Sequence, residues 1–257
     1  MKNNFIIITI LSVLLCSCNS KNTNEKKING QIKKDQMLEK AQPNSLKSKL
    51  EEKKENFALK ADATKKRVYN QGIVSVEKSG ITKTAKQVGD KAPNFVLKNA
   101  LGNSVELNDC LKKGKVVLTW YRGGWCPYCN LTLAQLQEEL PNFKKNGANL
   151  IALTPELPDK SMSTKQKQGL KFEVLSDVGN KIAKEYGIVF KLTDEVANYY
   201  NNGFDMNSYN GDNSNELPLA ATYIINQKGE IEYSFLDADY RNRAEPSKLT
   251  EFLLKNK

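Results

Sequence analysis

From about residue 115 onward, short apolar segments alternate with amphipathic ones. KVVLTWY and ANLIALTP are continuous apolar runs of the kind found in strands buried on both faces of a sheet, and FEVLSD is a third candidate strand. Between the first two, NLTLAQLQEELPNFKKNG places leucines on one helical face and stops at a glycine. Strands that alternate with helices predict βαβ units and a mainly parallel sheet.

Turn signals at both ends of this region predict two hairpins. Phe95–Leu97 and Val105–Leu107 flank the turn NALGN, and ATYIIN is joined to EIEYSF by the tight turn QKG. Further helices are expected at Lys160–Gln168 (as a helix or a loop), Ile182–Tyr186 and Pro246–Leu254. The pattern therefore predicts an α/β fold with a central mixed β-sheet flanked by helices.

The residues before this region divide into segments of different character. Residues 45–87 carry apolar side chains at loosely helical intervals, interrupted by Gly72 and Gly80, which predicts one or two helices lying against the following domain. We expect a signal peptide over 1–18, a flexible basic tether over 19–44, this appended N-terminal helical segment over 45–87 and the α/β domain over 88–257.

Charge separates the same segments. Residues 19–87 carry 17 Lys and Arg against 8 Asp and Glu, whereas residues 88–257 carry 21 of each. A nucleic-acid-binding protein places its positive charge on the folded domain with aromatic residues interleaved, and this chain does not. We therefore expect a solvated tether and no nucleic-acid partner.

The N-terminal sequence MKNNFIIITILSVLLCSC has a short positive start and an apolar run suited to a secretory signal. Leu15 and Ser17 precede Cys18 in an order that resembles a bacterial lipoprotein box. The resemblance implies lipidation of Cys18 and a protein anchored by its N-terminal lipid at a membrane of the bacterial cell envelope, outside the cytoplasm. A plain signal peptide with incidental cysteines is the alternative.

The chain contains no histidine. Ser-His-Asp catalysis, Cys-His catalysis and histidine-ligated metals are therefore excluded, because no other side chain has an unperturbed pKa near neutrality. Any catalyst must use cysteine, carboxylate, Arg, Lys, Tyr or backbone groups.

The segment YRGGWCPYC joins a predicted buried strand to a predicted helix. Cys126 is then expected at the N-cap, Pro127 at the first helical position and Cys129 at the third. The free N–H groups and the dipole at a helix start stabilise a negative charge, so the pKa of a thiol there should fall below about 8.5. Two thiols at this spacing predict a reversible disulfide.

Three structural interpretations of the cysteine pair are possible. Two buried, inert thiols fit poorly with a Gly-Gly approach that keeps the turn open. A zinc site would need two more ligands, but Cys110 is the only other cysteine in the domain, so we expect no metal. A permanent disulfide would close a very small loop and would stabilise the fold little by chain entropy. We expect no other cofactor.

Several motifs together resemble a known family. VGDKAPNFVLKNALGNSVEL, VVLTWYRGGWCPYCNLTLAQLQ, NLIALTPE and FEVLSDVGNKIAKEYGIVF are followed by LPLAATYIINQKGEIEYSFLDADYRNRAEP. In this order they resemble a CxxC-containing, bacterioferritin-comigratory-like subgroup of the peroxiredoxins, the alkyl hydroperoxide reductase/thiol-specific antioxidant (AhpC/TSA) branch of the thioredoxin fold. The resemblance implies a thioredoxin-like fold.

The resemblance also implies roles for individual residues. Aligned on the strand end, Arg122 occupies the position of the family's Pro, Cys126 that of its Thr or Ser, and Cys129 that of its peroxidatic Cys. The family's Arg on the opposite strand is replaced by Ala220. Pro218, near the position of the thioredoxin cis-proline, is expected first to shape a loop and second to support the site. Trp125 either covers the thiols or packs on the surface.

The C-terminal sequence DADYRNRAEP offers Arg241 and Arg243, for which solvated salt bridges are the preferred expectation over contact with the site. Cys110 is expected to be a packing residue.

Three functions remain possible. The first is a thioredoxin-dependent thiol peroxidase, in which Cys129 is oxidised by hydrogen peroxide or an organic hydroperoxide, forms a disulfide with Cys126 and is recycled by a thioredoxin-like reductant. The second is an envelope thiol-disulfide oxidoreductase in which Cys126, expected to be the more exposed sulfur, attacks protein disulfides. The third is a lipid-anchored scaffold with vestigial cysteines. The resemblance favours the peroxidase.

Overall fold

The computed structural model describes residues 44–99 and 101–256, which begin with helices and continue as alternating strands and helices. The strands are β1 (Val96–Lys98), β2 (Ser104–Glu106), β3 (Lys115–Trp120), β4 (Ala148–Thr154), β5 (Glu173–Ser176), β6 (Val189–Lys191), β7 (Glu216–Pro218), β8 (Thr222–Ile225) and β9 (Ile231–Phe235). The helices are α1 (Leu46–Lys60), α2 (Ala63–Lys78), α3 (Ile81–Thr84), α4 (Leu107–Leu111), α5 (Pro127–Lys145), α6 (Pro158–Lys167), α7 (Lys181–Glu185), α8 (Asp194–Phe204), α9 (Met206–Asn210) and α10 (Pro246–Lys255).

The central sheet has five strands in the order β5-β4-β3-β8-β9. Strands β3, β4 and β5 are parallel, while β8 is antiparallel to β3 and β9 is antiparallel to β8. The predicted mixed sheet, a parallel part finished by an antiparallel hairpin, is confirmed. The first predicted hairpin is also present, because β1 and β2 pair antiparallel around the turn.

Both faces of the sheet are covered. Side chains alternate between the faces of a strand, so Val116 and Leu118 of β3 enter one core and Val117 enters the other. The first core packs against α3, α4 and α7, and the second against α1, α5 and α10. The strand β3 is therefore buried on both faces, which explains its uninterrupted apolar sequence.

The segment before the sheet forms three helices rather than one or two. Ser45 and Asp62 cap α1 and α2 with side-chain oxygens that accept backbone N–H groups. Gly80, with φ of +71°, separates α2 from α3 as expected. The prediction that Gly72 interrupts a helix is wrong: α2 runs through it, and a Cβ there would come within 2.8 Å of Val196 Cγ2 in α8.

The predicted helix at Ile182–Tyr186 is present as α7, and the region between α7 and β8 contains elements that the sequence pattern does not predict. These are the antiparallel pair β6–β7 and the helices α8 and α9. Val68 and Tyr69 of α2 pack against Val196 and Tyr200 of α8 in a third apolar cluster. This cluster lies beside the cysteine-bearing turn, because Trp125 packs against it.

No helix within the described ranges 44–99 and 101–256 is long and apolar enough to cross a membrane. The expected signal peptide, tether and lipidation site at Cys18 lie outside those ranges.

Candidate active site

The cysteine pair occupies the turn between β3 and α5. Cys126 is the N-cap, with extended φ and ψ of −87° and 112°, Pro127 is the first helical residue and Cys129 the third, which confirms the predicted geometry. Both preceding glycines are required: a Cβ on Gly123 would collide with the Trp125 indole, and one on Gly124 would collide with the Thr164 hydroxyl.

Both sulfurs are buried and reduced. Cys126 is 1% exposed and Cys129 is 0% exposed, and both are free thiols. The expected difference in exposure, with Cys126 the more exposed sulfur, is only 1% against 0%, since the neighbouring aromatic residues and the C-terminal segment close over the turn. A substrate can therefore reach either sulfur only if it is small or if this turn changes its conformation.

Cys129 is surrounded by donors. Its Sγ accepts the backbone N–H of Arg122 at 3.5 Å and lies 3.4 Å from Nη2 of Arg243. The Sγ of Cys126 lies 3.9 Å from Nη1 of Arg122. Two guanidinium groups therefore flank the thiol pair, one from the turn itself and one from the segment before α10.

These contacts shift the pKa values of the two thiols in opposite directions. Burial raises the pKa of Cys129, but the Cys126 thiol, the charges of Arg243 and Arg122 and the Arg122 N–H together hold that pKa well below its ordinary value. Burial and the hydrogen bond to Cys129 raise the pKa of Cys126 instead. The expected fall in thiol pKa thus applies to Cys129 and not to Cys126.

Arg122 is a buried cation without a carboxylate partner. It is 1% exposed, and its guanidinium carbon lies 4.0 Å from the ring centre of Tyr240, 4.9 Å from that of Tyr200 and 5.1 Å from that of Trp125. Aromatic faces stabilise a cation in such positions. Among the described residues no Asp or Glu forms an ion pair with Arg122, and the thiol pair lies beside it, with Sγ of Cys126 3.9 Å from Nη1.

Trp125 packs against α8 and against Arg122. Its partly exposed ring packs on Phe204, at 5.5 Å between ring centres, and on Tyr200 at 5.3 Å, so it is held by α8. Its other contact is the Arg122 guanidinium, so it covers the cation beside the thiols.

The C-terminal segment departs from expectation at one of its two arginines. Arg241 makes the expected salt bridge, bonding both oxygens of Asp239 at 2.8 to 3.1 Å. The same expectation is wrong for Arg243, which donates to Cys129 instead. The chain folds back over the turn after β9, where Tyr240 stacks on Arg122, and this carries Arg243 to the sulfur.

The remaining predicted residues lie in the surrounding scaffold. Pro218 pairs with Val189 across β6 and β7, and every peptide bond in the described ranges is trans, so Pro218 is not a cis-proline. Ala220 is buried just before β8 and offers no cation. Cys110 is half-buried, contacts the first core and has a pKa raised by burial, as a packing residue would.

Sequence reasoning missed Glu156 and two of the aromatic residues around Arg122. Glu156 lies two residues after the end of β4, and its carboxylate accepts the Gly124 N–H at 2.8 Å. A carboxylate at the carboxyl end of a predicted buried strand was the available signal. Tyr200 and Tyr240 gave no comparable signal, because their approach depends on long-range packing.

No three His, Cys, Asp or Glu side chains within residues 44–99 and 101–256 come close enough to hold a metal ion. The chemistry available at the site is therefore that of a thiolate, a second thiol and two guanidinium groups.

The comparisons with known proteins agree with this fold. The AhpC/TSA family model matches residues 88–234. Peroxidoxin BcpB from Mycobacterium tuberculosis superimposes with a TM-score of 0.53 at 16% identity, covering 66% of this chain and 98% of that structure. At that identity the likeness concerns the fold alone, and it confirms the predicted thioredoxin-like, peroxiredoxin type.

Two groups of relatives match by sequence. Thiol-disulfide oxidoreductase ResA of Bacillus thuringiensis (strain Al Hakam) is 38% identical over 103 residues, which are 40% of this chain and 58% of ResA. The chain thus spans less than two thirds of that relative. Chloroplastic Peroxiredoxin Q of Triticum aestivum is 30% identical over 193 residues, covering 75% of this chain and 72% of the wheat protein. The family model spans more than half of the sequence and the wheat relative three quarters of it, so the chain belongs to the AhpC/TSA family.

Proposed function

We propose that the protein is a thioredoxin-dependent thiol peroxidase that reduces hydrogen peroxide and organic hydroperoxides. The observation that carries the proposal is the environment of Cys129: a fully buried sulfur that accepts a backbone N–H and lies 3.4 Å from a guanidinium. The thiolate is the reactive form of cysteine, and these donors favour it.

The first step uses Cys129 as the nucleophile. Its thiolate attacks one peroxide oxygen, the O–O bond breaks, and Cys129 becomes a sulfenic acid while the leaving oxygen takes a proton and departs as water or an alcohol. Arg243 and Arg122 hold positive charge beside the sulfur, where negative charge passes from the thiolate to the leaving oxygen.

The second step uses Cys126. Its sulfur attacks the sulfenic sulfur, an S–S bond forms, and the hydroxyl group leaves as water after taking the thiol proton. A thioredoxin-like dithiol then reduces the disulfide by thiol exchange and is itself oxidised. The raised pKa of Cys126 keeps it protonated while Cys129 reacts, so each cysteine has one task.

The alternative is an oxidoreductase that acts on protein disulfides, and the similarity to ResA favours it. The burial of both sulfurs argues against it. A protein disulfide must approach the attacking sulfur within bonding distance, whereas Cys126 and Cys129 are 1% and 0% exposed. A peroxide needs far less room.

Trapping of the sulfenic acid distinguishes the two functions. The Cys126→Ser variant should form a dimedone adduct at Cys129 after stoichiometric peroxide, and the wild type should form the Cys126–Cys129 disulfide. Reduction of insulin disulfides should be slow in both. Absence of the adduct, with fast insulin reduction by the wild type, would instead identify the protein-disulfide oxidoreductase.

We also propose that Cys18 is lipidated and that the protein is anchored at a bacterial envelope membrane. The support is the sequence alone, with Leu15 and Ser17 in the positions of a lipoprotein box. Metabolic labelling with an alkyne fatty acid should mark the full chain and the Cys16→Ser control but not Cys18→Ser. Equal labelling of all three would contradict the assignment.

A further inference from the structure

A buried carboxylate lies behind the cysteine-bearing turn and has no part in the chemistry above. Glu156 is 0% exposed. One oxygen accepts the Gly124 N–H at 2.8 Å, and the other accepts the Thr154 hydroxyl at 3.4 Å. Among the described residues no Lys or Arg forms an ion pair with it. Burying an acidic side chain without a cation costs free energy of folding, so the presence of Glu156 needs an explanation.

Gly124 is held through both of its backbone polar groups, which belong to successive peptide groups. Its N–H donates to Glu156, and its carbonyl oxygen accepts Nδ2 of Asn130 at 2.9 Å. Gly124 lies between Arg122 and Cys126 in the chain, and Asn130 directly follows Cys129. The two peptide groups that meet at the Gly124 Cα therefore connect Glu156 with Asn130, on the far side of the thiol pair.

We propose that Glu156 is a positioning residue for the thiol pair: its carboxylate fixes the Gly124 peptide, and thereby the turn that presents Arg122 and Cys126, and its charge acts on Cys129. The assignment rests on the proposed function, since it names a residue that sets the reactivity of the same thiolate.

The electrostatic part follows from the groups that face the carboxylate. The Thr154 hydroxyl at the end of β4 bonds the carboxylate, and the Tyr121 side chain after β3 and the Cys129 sulfur of α5 lie near enough for their charges to act on it. Burial raises the pKa of Glu156, the hydrogen bonds from Gly124 and Thr154 oppose that rise, and the charge of Cys129 adds to it. A negative Glu156 and a negative Cys129 disfavour each other, so a proton on Glu156 favours the thiolate.

Two substitutions separate the positioning role of Glu156 from its electrostatic role. Glu156→Gln keeps an oxygen that can accept the Gly124 N–H but removes the charge. Glu156→Ala removes both and leaves the Gly124 N–H without its partner. Asp177→Asn is the matched control, because Asp177 is also a buried carboxylate, 1% exposed, that accepts two backbone N–H groups at 2.9 Å, but those belong to α7.

The measurement is the rate of Cys129 alkylation by iodoacetamide in the reduced full chain from about pH 5 to pH 9, read by mass spectrometry, with the peroxide rate measured in parallel. Glu156→Gln should move the alkylation midpoint to lower pH. Glu156→Ala should lower the peroxide rate about tenfold, because the turn loses its anchor. Asp177→Asn should lower the melting temperature and leave the alkylation midpoint unchanged.

An alkylation midpoint in Glu156→Gln that equals the wild-type value would overturn the proposal, since a purely structural carboxylate would behave in that way. This result does not depend on Glu156→Ala folding. Alkylation needs no peroxide, so failure of the proposed function would appear separately, as a wild type that does not react with peroxide while its alkylation midpoint still responds to Glu156→Gln.

Discussion

The guanidinium of Arg243 lies 3.4 Å from the sulfur of Cys129, although the two residues are 114 positions apart in the chain. The family resemblance implies an arginine on the strand opposite the cysteines, but Ala220 stands there. The cation reaches the site instead from the segment between β9 and α10. The C-terminal segment is therefore part of the site rather than a solvated end of the domain.

Replacement of Arg243 should make Cys129 less reactive. Arg243→Gln removes a positive charge beside the sulfur, so the pKa of Cys129 should rise and the peroxide rate at neutral pH should fall about tenfold. Alkylation as a function of pH measures the first effect and stopped-flow kinetics the second. Arg241→Gln is the matched control, because Arg241 bonds Asp239 and does not touch a cysteine. Equal effects of the two substitutions would rule out a specific role for Arg243.

The stability of the reduced protein should depend on pH through Cys129. The pKa of Cys129 is lower in the folded protein than in the unfolded protein, where it is about 8.5. The thiolate therefore stabilises the fold fully above about pH 8.5, and this stabilisation is lost as the pH falls through the folded pKa. The free energy of unfolding of the wild type, relative to Cys129→Ser, should therefore increase with pH up to about 8.5. Urea titrations of both proteins at several pH values measure this difference. A difference that stays constant or decreases would mean that Cys129 is not a stabilised thiolate.

Oxidation should destabilise the fold. Formation of the disulfide removes the negative charge that we assign to Cys129, beside the Arg122 cation that is buried among aromatic rings. The oxidised protein should be less stable than the reduced protein by about 2 kcal/mol near pH 8, the worth of a hydrogen bond to a charged group. Denaturation of both redox states measures this, and in Arg122→Met the gap should shrink. A more stable oxidised form would identify the bond as a structural disulfide.

The contact between α2 and α8 should be sensitive to a single methyl group. Gly72→Ala places a Cβ 2.8 Å from Val196 Cγ2, and overpacking of this kind costs about 1 to 3 kcal/mol. Gly203→Ala in α8 is the matched control, because no atom lies within 4 Å of its Cβ, and helix propensity should stabilise it by up to about 1 kcal/mol. Thermal denaturation should separate the two variants in opposite directions. Stabilisation by Gly72→Ala would show that the two helices do not pack this closely.

The parts of the structure that were predicted correctly are those with a local cause. The apolar run of β3, the proline after Cys126 and the helical face of α5 together fix the strand, the turn and the helix start, because each depends on neighbours within a few residues. The hairpins and the mixed sheet follow from similar local signals.

The parts that were missed depend on packing between distant segments. A glycine such as Gly72 is typical of a helix break in the sequence. In the structure it lies within α2 and closely contacts α8, which is more than 100 residues away in sequence. Arg243 and Arg241 are indistinguishable in sequence, and only the path of the chain after β9 brings one to Cys129 and the other to Asp239. Burial raises the pKa of both thiols and Arg243, remote in sequence, lowers it for both, so the two differ mainly through the hydrogen bond between them, which raises the pKa of Cys126 and lowers that of Cys129.

The most direct test of the account is the rate at which peroxide oxidises the reduced protein. Trp125 lies 5.1 Å from the Arg122 guanidinium, so its fluorescence should report the loss of the Cys129 thiolate in a stopped-flow experiment with hydrogen peroxide. We predict oxidation far faster than that of a free thiolate, abolished in Cys129→Ser and retained for the first step in Cys126→Ser. A wild-type rate equal to that of a free thiolate would contradict the assignment of Cys129 as a peroxidatic cysteine.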